Sequence, residues 1–202
     1  MLAVPARLTV LASGAGTLLQ ALLDAELDSS YPAEVVGVVS DRRDAPALAR
    51  GAGRGIRVAS VALSDYPTRD AWDRALGETV AASRPDLVIL AGFMKILGHA
   101  FLQRFPGRVI NTHPALLPAF PGAHAVRDAL AAEVSMTGAS VICVDEGIDT
   151  GQVIAQSEVA VLPGDDEARL HERIKIVERQ MLVRVVAELV VAQQHSSPGT
   201  VT

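Results

Sequence analysis

The stretch Asp86-Leu87-Val88-Ile89-Leu90-Ala91, followed at once by Gly92-Phe93-Met94-Lys95-Ile96-Leu97, decides how this chain folds. A continuous run of four aliphatic residues, with no polar alternation, predicts a central strand covered on both faces. Arg84-Pro85 before it ends a stretch of helical spacing over residues 68–83, because the residue before a proline is pushed out of the helical region. Gly92 after it opens a loop. A buried strand between helix and loop is the repeating unit of a parallel sheet, in which each strand needs a crossover.

Working toward the N-terminus, residues 57–62 read as a short strand and 46–53 as a short helix ending in Gly53. Residues 34–39 form a second buried strand run. Residues 17–27 place Leu18, Leu19, Leu22 and Leu23 at helical spacing, and 7–11 form the first strand. Toward the C-terminus, Arg108-Val109-Ile110 reads as a short buried strand. Pro114 and Pro118 then force an irregular loop directly after it. Residues 126–132 suggest a helix. Residues 138–144 and 152–161 alternate apolar and polar side chains, which predicts an antiparallel pair at one edge. A long helix is expected from Asp165 to about residue 192, its first turn Asp165-Asp166-Glu167 suiting the helix dipole. The tail from His195 is polar and expected to fray. No repeat or linker is legible, so residues 1–202 are expected to form a single domain. The expected class is α/β: a Rossmann-like, doubly wound mixed sheet, mostly parallel with antiparallel edge strands, and helices on both faces.

Half of the 202 residues are hydrophobic and only 3% aromatic, so the core is expected to be Val, Leu, Ile and Ala. A net charge of −5 argues against a nucleic-acid footprint or an anionic membrane surface. One cysteine, Cys143, excludes an internal disulfide, and its strand-like setting suggests a buried structural thiol. Arg7 interrupts the N-terminal apolar run, which leaves no room for a secretory leader core. No apolar stretch reaches the ~18 residues a membrane span needs. A soluble, cytoplasmic protein is expected.

The chemistry concentrates in Asn111-Thr112-His113-Pro114-Ala115-Leu116-Leu117-Pro118 and in Asp149, which sits in the glycine-flanked turn Gly147-Ile148-Asp149-Thr150-Gly151. An amide donor, an imidazole and a carboxylate are what acyl or formyl transfer needs, since an oxyanion must be stabilised while an amine loses its proton. The same residues also suit a loop in which they satisfy their own backbone, and the residues alone leave both readings open. Ser13-Gly14-Ala15-Gly16-Thr17 stands between the first strand and first helix, where glycines let a backbone approach an anion. Leu19 occupies the place of a third glycine, so this is not a full dinucleotide fingerprint, and a plain tight turn fits as well. Lys175 and Glu178 are one helical turn apart, a spacing that also suits a surface ion pair.

Residues 110–118, with Ala91-Gly92-Phe93-Met94-Lys95-Ile96-Leu97 upstream, closely resemble the formyltransferase family that uses 10-formyltetrahydrofolate, and the resemblance runs from about residue 6 to about residue 190. It implies transfer of a formyl group to the amine of glycinamide ribonucleotide in purine biosynthesis, with the folate as co-substrate and no metal. Asn111 and His113 would stabilise the oxyanion and Asp149 would assist proton transfer. Gly14, Ala15, Gly16, Thr17 and Leu18, with Lys175 and Glu178, would hold the ribose phosphate. The folate would meet Arg69, Met94, Lys95, Ile96, Leu97, Val144, Asp145 and Gly147, together with Asn111 and Asp149. Pro114, His124 and Ser140 would flank the centre, Ser140 holding a water. The resemblance also implies a cis bond at Leu117-Pro118. Two departures stand out: Leu18 lacks the side-chain amide common in the family, and Ile142 replaces a frequent histidine. The implied partners are small molecules, with no nucleic acid and no membrane, and a homodimer is left open. Rival readings are a formyl-methionyl-tRNA-forming enzyme or a formyl-folate hydrolase, whose usual extra domains do not fit in this length. Another is a non-catalytic phosphate-binding module using only the Gly14-Ala15-Gly16 turn.

Overall fold

The computed structural model describes residues 4–196. In chain order it contains β1 (Ala6–Leu11), α1 (Thr17–Ala25), β2 (Ala33–Ser40), α2 (Pro46–Gly53), β3 (Arg57–Ser60) and α3 (Arg69–Ala81). There follow β4 (Leu87–Leu90), α4 (His99–Arg104), β5 (Val109–His113), α5 (Ala125–Ala131), β6 (Met136–Cys143), β7 (Val153–Ala160) and α6 (Glu167–Ser196). A single 3-10 turn, Leu63–Asp65, precedes α3. The strands join in the order β3-β2-β1-β4-β5-β6-β7. Pairings among β3, β2, β1, β4 and β5 are parallel, and β5 with β6 and β6 with β7 are antiparallel. The doubly wound mixed sheet expected from the sequence is the observed one.

The central run behaves as its composition demands. Leu87, Ile89 and Ala91 enter one core with Leu8 and Val10 of β1, the leucines of α1, Val126 of α5, and Leu182 and Val185 of α6. Val88 and Leu90 enter a second core with Leu11, Val39, Trp72 and Leu76 of α3, and Phe101 of α4. Alternate side chains of a strand point to opposite faces, so a strand this apolar needs helices on both.

Several boundaries differ from the sequence reading, each for a physical reason. β5 does not stop at Ile110 but continues through His113, because β6 pairs with it at Asn111↔Ile142, Thr112↔Val141 and His113↔Ser140. The polarity of Asn111-Thr112-His113 disguised a strand whose ladder partner is distant in sequence, and the irregular loop begins at Pro114. Helix α4 was not expected. It is held from outside: the buried Asp73 carboxylate of α3 accepts the Gly98 N–H at 2.7 Å and the Phe101 N–H at 2.8 Å. Helix α6 starts at Glu167 rather than 165, with Asp166 capping it by accepting the Arg169 N–H at 2.8 Å. His195 and Ser196 continue α6, and the rest of the expected frayed tail lies outside the described residues, as do residues 1–3 of the leader reading. Cys143 is half-buried at the end of β6 rather than fully enclosed. Among the described residues no helix is long and apolar enough to cross a membrane.

Candidate active site

The centre is built on the alternation of β5. Val109 belongs to the core under α3 and α4, and Ile110 to the core under α1 and α6. Asn111 and His113 therefore share the first face, and Thr112 turns to the second. After β6 the chain folds back over that first face through a loop that closes where Gln152 accepts the Cys143 N–H at 2.9 Å. A Cβ at Gly151 would stand 1.7 Å from the Cys143 carbonyl oxygen, so only glycine lets the loop return this tightly. Asp149, in the left-handed region at φ 54°, is thereby aimed inward.

There Asp149 joins Asn111 and His113. Asn111 Nδ2 donates to Asp149 Oδ1 at 3.4 Å, and His113 Nδ1 lies 3.3 Å from Asp149 Oδ2. Oδ2 also accepts the Gly122 N–H at 2.8 Å. His113 Nε2 lies 2.8 Å from the Phe120 carbonyl oxygen. A carbonyl can only accept, so Nε2 is the donor in this contact. The side chains of His113 and Asp149 are 5% and 12% exposed.

The loop after His113 is fixed by one hydroxyl. Ser140 Oγ donates to the Ala115 carbonyl at 2.6 Å and accepts from the Leu117 N–H at 3.1 Å and from Gln156 Nε2 at 2.9 Å. Its donor and both acceptor positions are thus filled by protein, which displaces the expectation that it holds a water. It ties β6 to the turn carrying the cis Leu117-Pro118 bond, which the resemblance implied. Pro114 is half-buried behind His113. His124 is exposed at the start of α5 and makes no capping bond, so it is not drawn into the centre. Ile142 is 2% exposed beside Asn111 in the ladder, so its position offers packing and no proton relay.

At the other end of the crevice, α1 begins at Gly16, which has φ 70° and supplies no side-chain cap. A Cβ on Gly16 would meet the Ala47 Cβ at 2.8 Å, so the turn lies tightly on α2. Arg50 braces it, Nε donating to the Ala15 carbonyl at 2.7 Å and a terminal nitrogen to Gln20 at 2.8 Å. The first amides of α1 lack side-chain partners, the condition under which a helix start attracts an anion. Leu18 is 8% exposed and packs into the core, so only its backbone faces this turn. A groove of about 650 Å³ runs from Thr17 between α1 and α6, past Gln20, Arg50 and Arg179, away from His113.

Lys175 and Glu178 do not pair with each other. Lys175 Nζ binds Glu172 at 2.7 Å, one turn in the other direction. Glu178 is only 4% exposed and faces Thr112 on the underside of β5. Burial pushes its carboxyl up to about 7, with Lys175, Arg179 and Thr112 pulling it back down.

Beyond β4, Met94 and Ile96 are exposed at 65% and 54%, and Ile148 of the Asp149 loop at 54%. All three stand on the loops that follow β4 and β6. Leu97, in contrast, is buried in the core with Phe93. The Arg69 guanidinium donates to the Ile96 carbonyl and lies 4.8 Å from the Trp72 ring centroid, an internal engagement rather than a free cation. Asp145 is turned into its own loop, its Oδ1 accepting from Gly147 N–H at 3.0 Å and Thr150 Oγ1 at 2.8 Å. Val144 packs against the core and its amide binds the Val109 carbonyl at 2.8 Å. The Lys95 ammonium reaches back to Asp41 at 3.1 Å. Asp41 and Asp73 were not singled out in the sequence, and Ser13 only as the start of the glycine turn, since each acts through partners at least 25 residues away. Among the described residues no set of His, Cys, Asp or Glu converges as a metal site.

A doubly wound sheet with a buried imidazole between a half-buried amide and a half-buried carboxylate at its carboxyl edge has the architecture of a Rossmann-like group-transfer enzyme. The family model described as formyl transferase matches residues 6–186, and the chain belongs to that family. It is 58% identical to the phosphoribosylglycinamide formyltransferase of Mycobacterium tuberculosis, over 92% of this chain and 85% of that one. With the Escherichia coli enzyme of the same name it shares 38% identity, over 89% of this chain and 85% of the relative. Among solved structures, glycinamide ribonucleotide transformylase 1 from Symbiobacterium toebii superposes with a TM-score of 0.91 at 40% identity, covering 93% of this chain and 89% of its own.

Proposed function

We propose that the protein transfers the formyl group of 10-formyltetrahydrofolate to the primary amine of glycinamide ribonucleotide. The observation that carries this reading is the junction of Asn111, His113 and Asp149, with His113 buried and the other two half-buried. The relatives' names supply the acceptor and the group transferred, and the resemblance to the family that uses 10-formyltetrahydrofolate supplies the donor. The neutral amine attacks the formyl carbon, and the carbonyl electrons move onto oxygen. Asn111 Nδ2–H and the His113 imidazole stabilise that oxyanion. Asp149, directly or through one water, takes the proton the amine loses. When the tetrahedral intermediate collapses, the bond to folate N10 breaks and the proton passes to that nitrogen, leaving tetrahydrofolate. No metal enters this scheme.

The uncapped start of α1, from Gly14 to Leu18, holds the ribose phosphate by its amides, with Lys175 as a point charge and Glu178 accepting ribose hydroxyls. The exposed side chains of Met94, Ile96 and Ile148, with backbone groups of Lys95, Leu97, Val144, Asp145 and Gly147, receive the pterin. Arg69 meets the glutamate carboxylate only after leaving the Ile96 carbonyl. The test is stoichiometric: one equivalent of formyl donor is consumed, followed by folate absorbance, for each equivalent of glycinamide ribonucleotide added. Purified protein that leaves both compounds unchanged refutes the proposal, and the non-catalytic phosphate-binding reading would then take its place.

A further inference from the structure

Between the proposed phosphate turn and the proposed donor segment lies a buried polar link. Asp41 follows β2 directly, and its side chain is 2% exposed. Its Oδ1 accepts the Ser13 hydroxyl at 2.5 Å, and its Oδ2 lies 3.1 Å from Lys95 Nζ. The only hydroxyl proton of Ser13 is thus committed to Asp41, which turns the oxygen lone pairs toward the Met94 N–H, 2.8 Å away. The Ser13 N–H closes the link by donating to the Gly92 carbonyl at 3.1 Å. Ser13 opens the turn that leads to Gly16, and Met94 opens the segment that carries Ile96. The ammonium of Lys95, 32% exposed, is held on the carboxylate and kept out of the donor slot.

We propose that Asp41 and Ser13 are positioning residues for the formyl donor, an inference that rests on the proposed formyl-transfer reading. Asp41 sets the rotation of the Ser13 hydroxyl, and that hydroxyl sets the place of the Met94 backbone. Charge-assisted hydrogen bonds inside the fold hold geometry better than exposed ones. A donor segment displaced by a fraction of an ångström misplaces the formyl carbon relative to the amine.

The test uses Ser13→Ala, Asp41→Asn and the double variant Asp41→Asn/Lys95→Met. Asparagine can still accept from Ser13, but its NH2 then faces the Lys95 ammonium, donor against donor. Removing that ammonium in the double variant relieves the conflict. The readouts are amide hydrogen exchange at Met94 without any substrate, calorimetric binding of tetrahydrofolate and of glycinamide ribonucleotide separately, and melting temperature. Ser13→Ala should speed Met94 exchange and weaken tetrahydrofolate about tenfold, the scale of one lost hydrogen bond. Ribonucleotide binding should change less than about threefold, and the double variant should regain most of what Asp41→Asn loses. Met94 exchange or tetrahydrofolate affinity within about threefold of wild type overturns the inference, as does equal loss of both ligands tracking the melting temperature. Wild-type protein that binds no tetrahydrofolate refutes the proposed function and this inference together. Normal wild-type binding with unaffected variants refutes the inference alone.

Discussion

The two ends of the crevice follow opposite electrostatic plans. Around β5 every polar group of the centre is already engaged: Asn111 and His113 with Asp149, Asp149 with Gly122, and His113 with Phe120. At α1 the amides after Gly16 have no side-chain cap, and the turn is positioned by packing of Leu18 and Leu19 and by the contact with Ala47. The difference follows from what each end must do. A reacting group has to keep its geometry while charge develops, so its members hold one another in place out of water. An anion site has to keep donors unfilled, so apolar contacts and the Arg50 guanidinium on the Ala15 carbonyl do the positioning there.

The sharpest way to break this comparison is at the paired end. His113→Ala and Asp149→Asn are each expected to lower kcat by roughly 10²–10³ with an unchanged circular dichroism spectrum. The double variant should be scarcely worse than either single one, because the residues act as a unit. Losses that add in log rate would mean that the two act separately.

Ser140→Ala tests whether hydrogen bonding holds this end together. It leaves the Leu117 N–H without its acceptor and the Ala115 carbonyl without its donor, while Gln156 keeps its bond to the Leu117 carbonyl, and should lower stability by about 1–3 kcal/mol in urea unfolding. A change under about 0.5 kcal/mol would show that the loop is set by packing instead.

At the open end, Lys175→Glu replaces attraction for phosphate with repulsion. The Michaelis constant for glycinamide ribonucleotide should rise about tenfold, equivalent to about 1.4 kcal/mol, while that for folate stays near normal. Equal damage to both would place the effect in folding. No effect would leave Lys175 as the surface partner of Glu172.

The smallest effect concerns Glu178, beneath β5 between the two ends. Its carboxyl is raised from an ordinary 4.5 to about 7 by burial, so across that window the folded state holds a proton the unfolded state has released. Stability should therefore fall as pH rises from 4.5 to about 7 and level off above it. Glu178→Gln should flatten that slope, the two stability curves drawing apart between pH 4.5 and about 7. Parallel stability curves for the two proteins would remove the buried acid from the account.

Much of this was legible in the chain, and unevenly so. The run at 87–90 announced a strand covered on both faces because apolar content registers burial directly. Asn111-Thr112-His113 did not announce a strand, because three polar residues look like loop until β6 supplies the ladder. Helix α4 was invisible for a similar reason: its cap is Asp73, on the preceding helix 25 residues upstream of Gly98. Lys175 and Glu178 looked like a pair, and spacing alone could not tell that one faces Glu172 and the other Thr112.

The sequence by itself determined the alternation of strands and helices, the aliphatic core, and which residue types could carry group-transfer chemistry. These depend on local periodicity and composition, which a chain displays without folding. Only the tertiary structure decided that Asp149 returns to His113, that Ser13 and Asp41 tie the crevice together, and that Glu178 is buried. Those are contacts between segments far apart in the chain, settled by how strands pair and how tightly a turn such as Gly151 can close.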